Sequence, residues 1–515
     1  FRMVYTYLNS PSICQSRGRM KQFFAMLSAC LLLFALPAGV AGADTPLPTP
    51  APDTPIPEET AAIAEELTRS VSYARIDSGF TASQLYDRNP LTYCELLAGE
   101  RLQLTTRTDA ALGCLHLRLA DPLTPLLIEQ FDGDGALLDS ATLAPQMLVE
   151  LVVLEPGCMC ATITPVDASA KICDVRVYGV GTLPDEVPVW QPAEERVDFL
   201  IVTTHPDDEW LFLGAIYPFY GGERGLTGTF AYVTTPKNFG RLHEALNGLW
   251  TAGVHAYPHF LGFPDIHTSE PKEKKSQFRE DEVLLSLVRL YRSVRPLVVF
   301  AQDPVRGEYG HWQHIISANA ALEAARLAAD ASFDPASVQS DGTWQVRKVY
   351  CHLYEENAVV LDVETPLPAY DGMTALEIAR AAYKEHKSQQ DLWFYPIAKE
   401  TSSCDIRRLG LAYTTVGLDS TAGADLFENI DPALFVASLN ATPEPTASPA
   451  PTPKPTATPA SATPTPTAEP AEPAGAAASP AAAIVAGGVL ATCLLALLAQ
   501  QRRARRAANR GTDEG

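Results

Sequence analysis

Between residues 195 and 432, five short apolar runs alternate with amphipathic stretches, and this rhythm restricts the fold more than any other feature. The runs lie at 197–203, 228–234, 258–263, 297–301 and 348–354, each of strand length. The stretches 238–252, 279–294 and 312–328 between them carry Leu, Ala and Ile at helical spacing. Strands alternating with helices predict an α/β domain with a Rossmann-like, doubly wound and mostly parallel sheet. Such sheets gather ligands beyond the carboxyl ends of their strands, where the strand order reverses.

Residues 61–185 have another rhythm. Short apolar runs, Leu115–Leu119, Leu126–Phe131, Met147–Leu154 and Cys173–Tyr178, are separated by Gly, Asp, Asn and Pro turns. That spacing predicts an all-β sandwich of jelly-roll type, with a short helix at Ala61–Ser70. Eighteen of the 42 prolines fall in 44–57 and 442–480, where Thr, Ala and Pro leave nothing large and apolar to bury. These tracts read as extended spacers, a linker at 44–60 and a stalk at 440–480.

Beyond the spacers the chain carries addressing signals. Met20-Lys21, the apolar run Phe23 to Leu36 and the small residues Ala41-Gly42-Ala43 make residues 1–43 upstream residues plus a signal peptide, or else an uncleaved anchor. Residues 481–500 are apolar, and Ala481 to Ala499 could cross about 28 Å of hydrocarbon as helix. Arg502, Arg503, Arg505 and Arg506 follow in a basic tail, 501–515, which belongs on the cytoplasmic side. The expectation is a single-pass cell-membrane protein, bacterial in style, with its catalytic region extracytoplasmic. A formal charge of −22 argues against nucleic acid or an anionic membrane surface as the main partner. Seven of the ten cysteines fall outside the addressing segments, an odd number, and Cys158-Met159-Cys160 is too close to bridge to itself.

Two strand ends carry chemistry. His205-Pro206-Asp207-Asp208-Glu209 follows the first run, and Gly307-Glu308-Tyr309-Gly310-His311-Trp312-Gln313-His314 follows the fourth. Alone, Asp207 or Asp208 reads as a helix N-cap. His311 and His314, three apart, would face one way on a first helical turn. Together the loops offer imidazoles and carboxylates for a divalent cation with an open position, zinc in first place and iron(II) as the alternative.

These motifs resemble the PIG-L/LmbE family of N-acetylglucosaminyl deacetylases over residues 196–432. Arg241-Leu242-His243-Glu244-Ala245, Leu261-Gly262-Phe263-Pro264-Asp265, His386-Lys387-Ser388-Gln389 and Tyr413-Thr414-Thr415-Val416-Gly417 add to the likeness. The resemblance implies His205, Asp208 and His314 as metal ligands and Asp207 as the general base. It implies His311 as the imidazole that stabilises the oxyanion and protonates the leaving amine. Arg241 and Asp265 are candidates for gripping sugar hydroxyls, or else a surface arginine partnered by Glu244 and a turn-capping aspartate. His243, His255, His259 and His267 read as surface or packing residues, and Trp312 as a sugar platform or helix packing. Many relatives have Asp between the two histidines where this chain has Gln313, so His311 would lose a supporting carboxylate unless Glu308 supplies it.

More loosely, Ala82 to Tyr93 and Ile172 to Gly179 resemble discoidin-like, galactose-binding-like sandwiches, which implies a carbohydrate-binding module at 61–185. The expectation is a metal-dependent hydrolase of the N-acetyl amide in a GlcNAc-type sugar or cell-surface glycan. The alternatives are an amidase of the same mechanism on another amide, and a non-catalytic glycan-binding protein.

Overall fold

The computed structural model describes residues 62–436 except 77–81, 268, 271, 391–393 and 421–424. The addressing segments, the linker at 44–60 and the stalk at 440–480 lie outside the described residues, as does the apolar segment 481–500. Among the described residues no helix is long and apolar enough to cross a membrane.

The first layer pair is a sandwich of nine strands: β1 (Val71–Arg75), β2 (Cys94–Leu96), β3 (Leu102–Thr106), β4 (Cys114–Leu119), β5 (Leu126–Phe131), β6 (Leu137–Leu143), β7 (Val149–Val153), β8 (Cys160–Pro165) and β9 (Ala170–Tyr178). They form sheets of order β1-β3-β8-β5-β6 and β2-β9-β4-β7, with every pairing antiparallel. Alternate residues such as Leu102 and Leu104, Leu115 and Leu117, and Val175 and Val177 point inward and fill the core. Strand β4 departs from alternation, because all six of its residues are buried. Its outer face, His116 and Arg118, is covered by the next domain. His116 Nε2 lies 2.9 Å from Pro188 O, and Arg118 donates to Asn247 Oδ1 at 3.0 Å.

Among the described residues of Ala61–Ser70 the expected helix is absent apart from one 3-10 turn, Thr68–Ser70. Ala64 and Leu67 have helical spacing, yet their amides bond Thr182 O and Val177 O, so the segment runs beside β9. All seven cysteines among the described residues are free thiols.

The second domain carries the predicted alternation. Its elements are β10 (Phe199–Thr203), α1 (Asp208–Leu211), β11 (Gly228–Thr235), α2 (Gly240–Thr251), β12 (His259–Pro264), α3 (Glu280–Val294), β13 (Val298–Ala301), α4 (Trp312–Leu327), β14 (Lys348–His352), β15 (Ala358–Val360), α5 (Ala375–Tyr383) and β16 (Arg408–Thr414). The sheet order is β12-β11-β10-β13-β14-β16-β15. The first five strands are parallel, while β16 runs antiparallel to both β14 and β15. Both faces of the inner parallel strands β10, β11, β13 and β14 are buried, as parallel sheets require. Phe199 and Ile201 pack toward Trp210 and Leu246, and Leu200 and Val202 toward Leu287 and Tyr291. The strand order reverses between β10 and β13, so a crevice opens at their carboxyl ends.

Candidate functional site

The two motif loops leave β10 and β13 at that reversal. Gln302 stitches them together: its Oε1 accepts from Thr204 N at 2.9 Å and from Thr204 Oγ1 at 2.5 Å. Gly307 permits the turn into the second loop. Its φ is 64°, and a Cβ there would lie 2.5 Å from His311 O.

Three atoms converge. His205 Nδ1 lies 3.1 Å from Asp208 Oδ2 and 3.1 Å from His314 Nε2, and His314 Nε2 lies 3.3 Å from Asp208 Oδ2. All three side chains are buried. The tautomers follow from the neighbours. Gln313 Nε2 donates to Pro264 O at 3.0 Å and its Oε1 accepts from Ile266 N at 3.1 Å, which fixes the amide's orientation. That same Oε1 faces His205 Nε2 at 3.4 Å, so the His205 proton sits on Nε2 and Nδ1 presents a lone pair. On the other side Glu308 accepts from His314 Nδ1 at 2.8 Å, leaving the Nε2 lone pair free.

Two imidazole lone pairs and one carboxylate oxygen thus face a common point, and this set fits a cation. Separations of about 3.3 Å are the edge of a tetrahedron with ligand bonds of about 2.0 Å. Ring nitrogens of His205, His311 and His314 also lie within 4.8 Å of one another. The set with Asp208 is tighter, and it leaves the His311 ring unligated.

Burial would push the Asp208 carboxyl up, but His314 and His205 outweigh it and hold it well below the usual range. Asp207 goes the other way. Burial, only partly offset by Arg241 and reinforced by Asp208, raises it to about 6. Asp207 also has φ 122°, a backbone region that a non-glycine residue holds at a cost of about 1–3 kcal/mol. Arg241 holds this residue directly, donating to Asp207 Oδ1 at 3.0 Å and to Pro206 O at 2.6 Å. Its other arm reaches Asp265 Oδ2 at 3.4 Å, and Asp265 Oδ1 lies 3.6 Å from His205 Nε2.

Half-buried His311 precedes the first turn of α4, and its Nδ1 has no hydrogen-bond partner among the described residues. Burial, then the imidazoles of His205 and His314, push it down to about 3. Tyr309 leans over the pair, its ring centroid 5.7 Å from that of His311 and 5.3 Å from that of His314.

His205, Asp207, Asp208, Arg241, Asp265, His311 and His314 therefore share one crevice. Other expectations need correction. Glu308 does not stand in for a carboxylate beside His311: it is fully buried and spans His314 and His352, the latter at 2.7 Å. Gln313 touches His205 rather than His311. Glu244 does not pair with Arg241, since its carboxylate accepts from Ser388 N and Oγ. Two open alternatives resolve to packing: Trp312 lies edge-on against Phe278 at 5.6 Å, and His243 is buried with Nε2 2.9 Å from Leu119 O in the sandwich. His352 went unnoticed in the sequence, although it too ends a strand, β14.

Over 221 residues the chain is 29% identical to a 1D-myo-inositol 2-acetamido-2-deoxy-alpha-D-glucopyranoside deacetylase of Catenulispora acidiphila, covering 37% of this chain and 67% of that protein. A deacetylase of the same description from Streptomyces avermitilis is 32% identical over 182 residues, covering 29% of this chain and 59% of its own. The chain is a homologue of the PIG-L/LmbE deacetylases. It spans about two thirds of the first relative and 59% of the second.

Among solved structures this PIG-L/LmbE homologue is similar to an N,N'-diacetylchitobiose deacetylase from Pyrococcus horikoshii, at 18% identity and TM-score 0.31, over 38% of this chain and 72% of that one. Its sandwich is similar to a family 32 carbohydrate-binding module from Clostridium perfringens in complex with galactose, at 17% identity and TM-score 0.19, over 22% of this chain and 99% of that one. No family model matches.

Proposed function

We propose that the protein is a metal-dependent N-deacetylase that hydrolyses the acetamide of a GlcNAc-type sugar at the cell surface. The observation that carries the reading is the convergence of His205 Nδ1, Asp208 Oδ2 and His314 Nε2 beside a carboxylate and an imidazole that stand outside the set. The deacetylase descriptions of the curated relatives support the same reaction.

A divalent ion held by His205, Asp208 and His314 would supply Lewis acidity toward an amide carbonyl and an attacking water. Zinc suits two imidazoles and one carboxylate, with iron(II) as the alternative. Asp207 is the general base. Its raised pKa lies nearer the working pH than that of an ordinary carboxyl, which favours proton transfer from water. Arg241 aims that carboxylate. His311, half-buried beside the ligand set and kept neutral by its lowered pKa, steadies the negative charge that develops on the carbonyl oxygen through an N–H, and the proton that Asp207 takes from water goes on to the departing amine. Asp265, about a quarter exposed and already fixed by Arg241, borders the crevice where sugar hydroxyls would lie.

We assign catalysis to residues 196–432 and glycan positioning to the sandwich at 61–185. The surface location follows from the addressing segments and stalk read in the sequence. The decisive assay measures acetate released from N-acetylglucosamine, chitin oligomers and peptidoglycan fragments, with metal content determined on the same samples. Release that needs metal, and that Asp207→Ala abolishes while metal stays bound, is the expected result. A metal-loaded protein that releases no acetate would overturn the deacetylase reading.

A further inference from the structure

The strained backbone of Asp207 needs something to hold it, and the structure provides a second support besides Arg241. The Asp207 N–H donates to Glu209 Oε2 at 2.8 Å, and Glu209 Oε1 accepts from His386 Nε2 at 3.0 Å. Glu209 and His386 are both fully buried.

His386 comes from the segment after α5, remote in sequence, and that segment is anchored independently. Ser388 donates to Glu244 on α2 through its amide at 2.7 Å and its hydroxyl at 2.6 Å. Gln390 Nε2 donates to His386 O at 3.1 Å and to Tyr383 O at 2.8 Å. Among the described residues the imidazole makes one hydrogen bond, to Glu209, and its Nδ1 is buried without a partner. A core position that needed only packing would be served better by an apolar side chain than by a half-satisfied ring.

We propose that His386 and Glu209 form a buried strut that holds the Asp207 backbone, and with it the Asp207 carboxylate, in its working position. The proposal rests on the reading of Asp207 as general base. Both members are positioning residues. The carboxylate grips the Asp207 amide, and the imidazole keeps that carboxylate from swinging away. Arg241 aims the Asp207 side chain, while the strut fixes the backbone from which it projects.

The test compares the wild-type chain with His386→Leu, His386→Gln, Glu209→Leu and the double variant, all checked for folding and metal content. His386→Leu should lower kcat about 10–100-fold with KM and bound metal nearly unchanged. His386→Gln, whose amide can still donate to Glu209, should recover most of the loss. Glu209→Leu should cost a similar factor, and the double variant no more than the worse single, because both break one strut. Full kcat in folded His386→Leu, additive losses in the double variant, or loss of metal in step with kcat would overturn the proposal. If Leu variants do not fold, His386→Gln compared with His386→Asn decides, since the shorter amide falls short of Glu209. Equal kcat in those two would refute the strut. If the wild type itself releases no acetate, the function proposed above fails separately. The strut is then judged by crystal structures of wild type and His386→Gln against His386→Asn. Relaxation of the Asp207 φ to negative values only in the asparagine variant supports it, and unchanged φ overturns it.

Discussion

Glu308→Gln is the substitution whose effect can be worked most fully from the geometry. Glu308 Oε2 takes His314 Nδ1 at 2.8 Å and Gln302 Nε2 at 3.4 Å, while Oε1 takes His352 Nδ1 at 2.7 Å and Asp303 N at 3.0 Å. A glutamine offers one carbonyl where the glutamate offers two acceptor oxygens. With its carbonyl on the side of His352 and the Asp303 amide, its NH2 faces the His314 Nδ1–H, donor against donor. His314 escapes by moving its proton to Nε2, which removes one of the three lone pairs. Metal affinity should fall about 10–100-fold, or about 1.4–2.7 kcal/mol. The buried charged hydrogen bond that disappears should cost the metal-free protein about 1.5–3 kcal/mol of stability.

A second readout comes from pH. Burial acts to raise the Glu308 pKa, but the hydrogen bonds from His314 and His352 more than reverse this, leaving it at about 2 against an ordinary 4.5. A depressed carboxyl stabilises the fold above its unfolded pKa, and that contribution is lost as pH falls from 4.5 through 2. It amounts to roughly 3 kcal/mol, and the glutamine variant lacks this acid dependence. Chelator competition gives the metal Kd, and urea unfolding between pH 7 and pH 3 gives the stability. A variant that binds metal within twofold of wild type and keeps the wild-type acid limb would refute this account of Glu308.

Other expectations follow from the same contacts. Asp207→Asn should keep its metal and lose about 10²–10⁴-fold in kcat. In the wild type, activity should fall as pH drops through the Asp207 pKa, at or below about 6 once a cation sits beside it, and a pH–rate profile of both proteins checks this. His116 and His243 are buried at the domain interface and pushed down to about 3, by burial first and then by Arg118. Each therefore stays neutral in the fold while the unfolded chain takes up a proton. Stability should decline from pH 6.5 downward, by about 2–3 kcal/mol per ring at pH 4.5, and glutamine at both positions should flatten the curve. Gln313→Asp should strengthen metal binding, by making His205 more basic, and leave the shape of the pH–rate profile unchanged. A changed profile at unchanged Kd would show that the residue acts on His311 instead.

The parallel strands were legible because each is a compact apolar run between turn residues. Five of the seven residues of the crevice were legible because two strand ends concentrate chemistry within a few positions, while Arg241 and Asp265 came from the further motifs of the resemblance. What escaped depended on contacts across long stretches of chain. Nothing local says that Gln313 faces His205, since this depends on Pro264 and Ile266 turning its amide. Glu308 stands three residues before His311 but six before the histidine it holds, and its second partner, His352, is 44 positions away. The helix expected at Ala61–Ser70 failed because Ala64 and Leu67 fit either a helical face or an edge segment, and β9 supplied the backbone partners for the second. Strand β16 closes the sheet antiparallel to its neighbours, a choice that periodicity leaves open.

The buried outer face of β4 has a consequence for how the molecule came to be. A binding module joined by a loose tether can be shed or exchanged without touching the enzyme beside it. Here His116, Arg118 and the Leu119 carbonyl meet Pro188, Asn247 and His243, and the Leu148 amide meets the Tyr257 hydroxyl. Removing the sandwich would strand a neutral imidazole on α2, and would uncover apolar surface around Trp190 and Tyr257 on the other side of the seam. The seam therefore ties the stability of one half to the other, so that a change on β4 is felt at α2 and a change on α2 is felt in the sandwich.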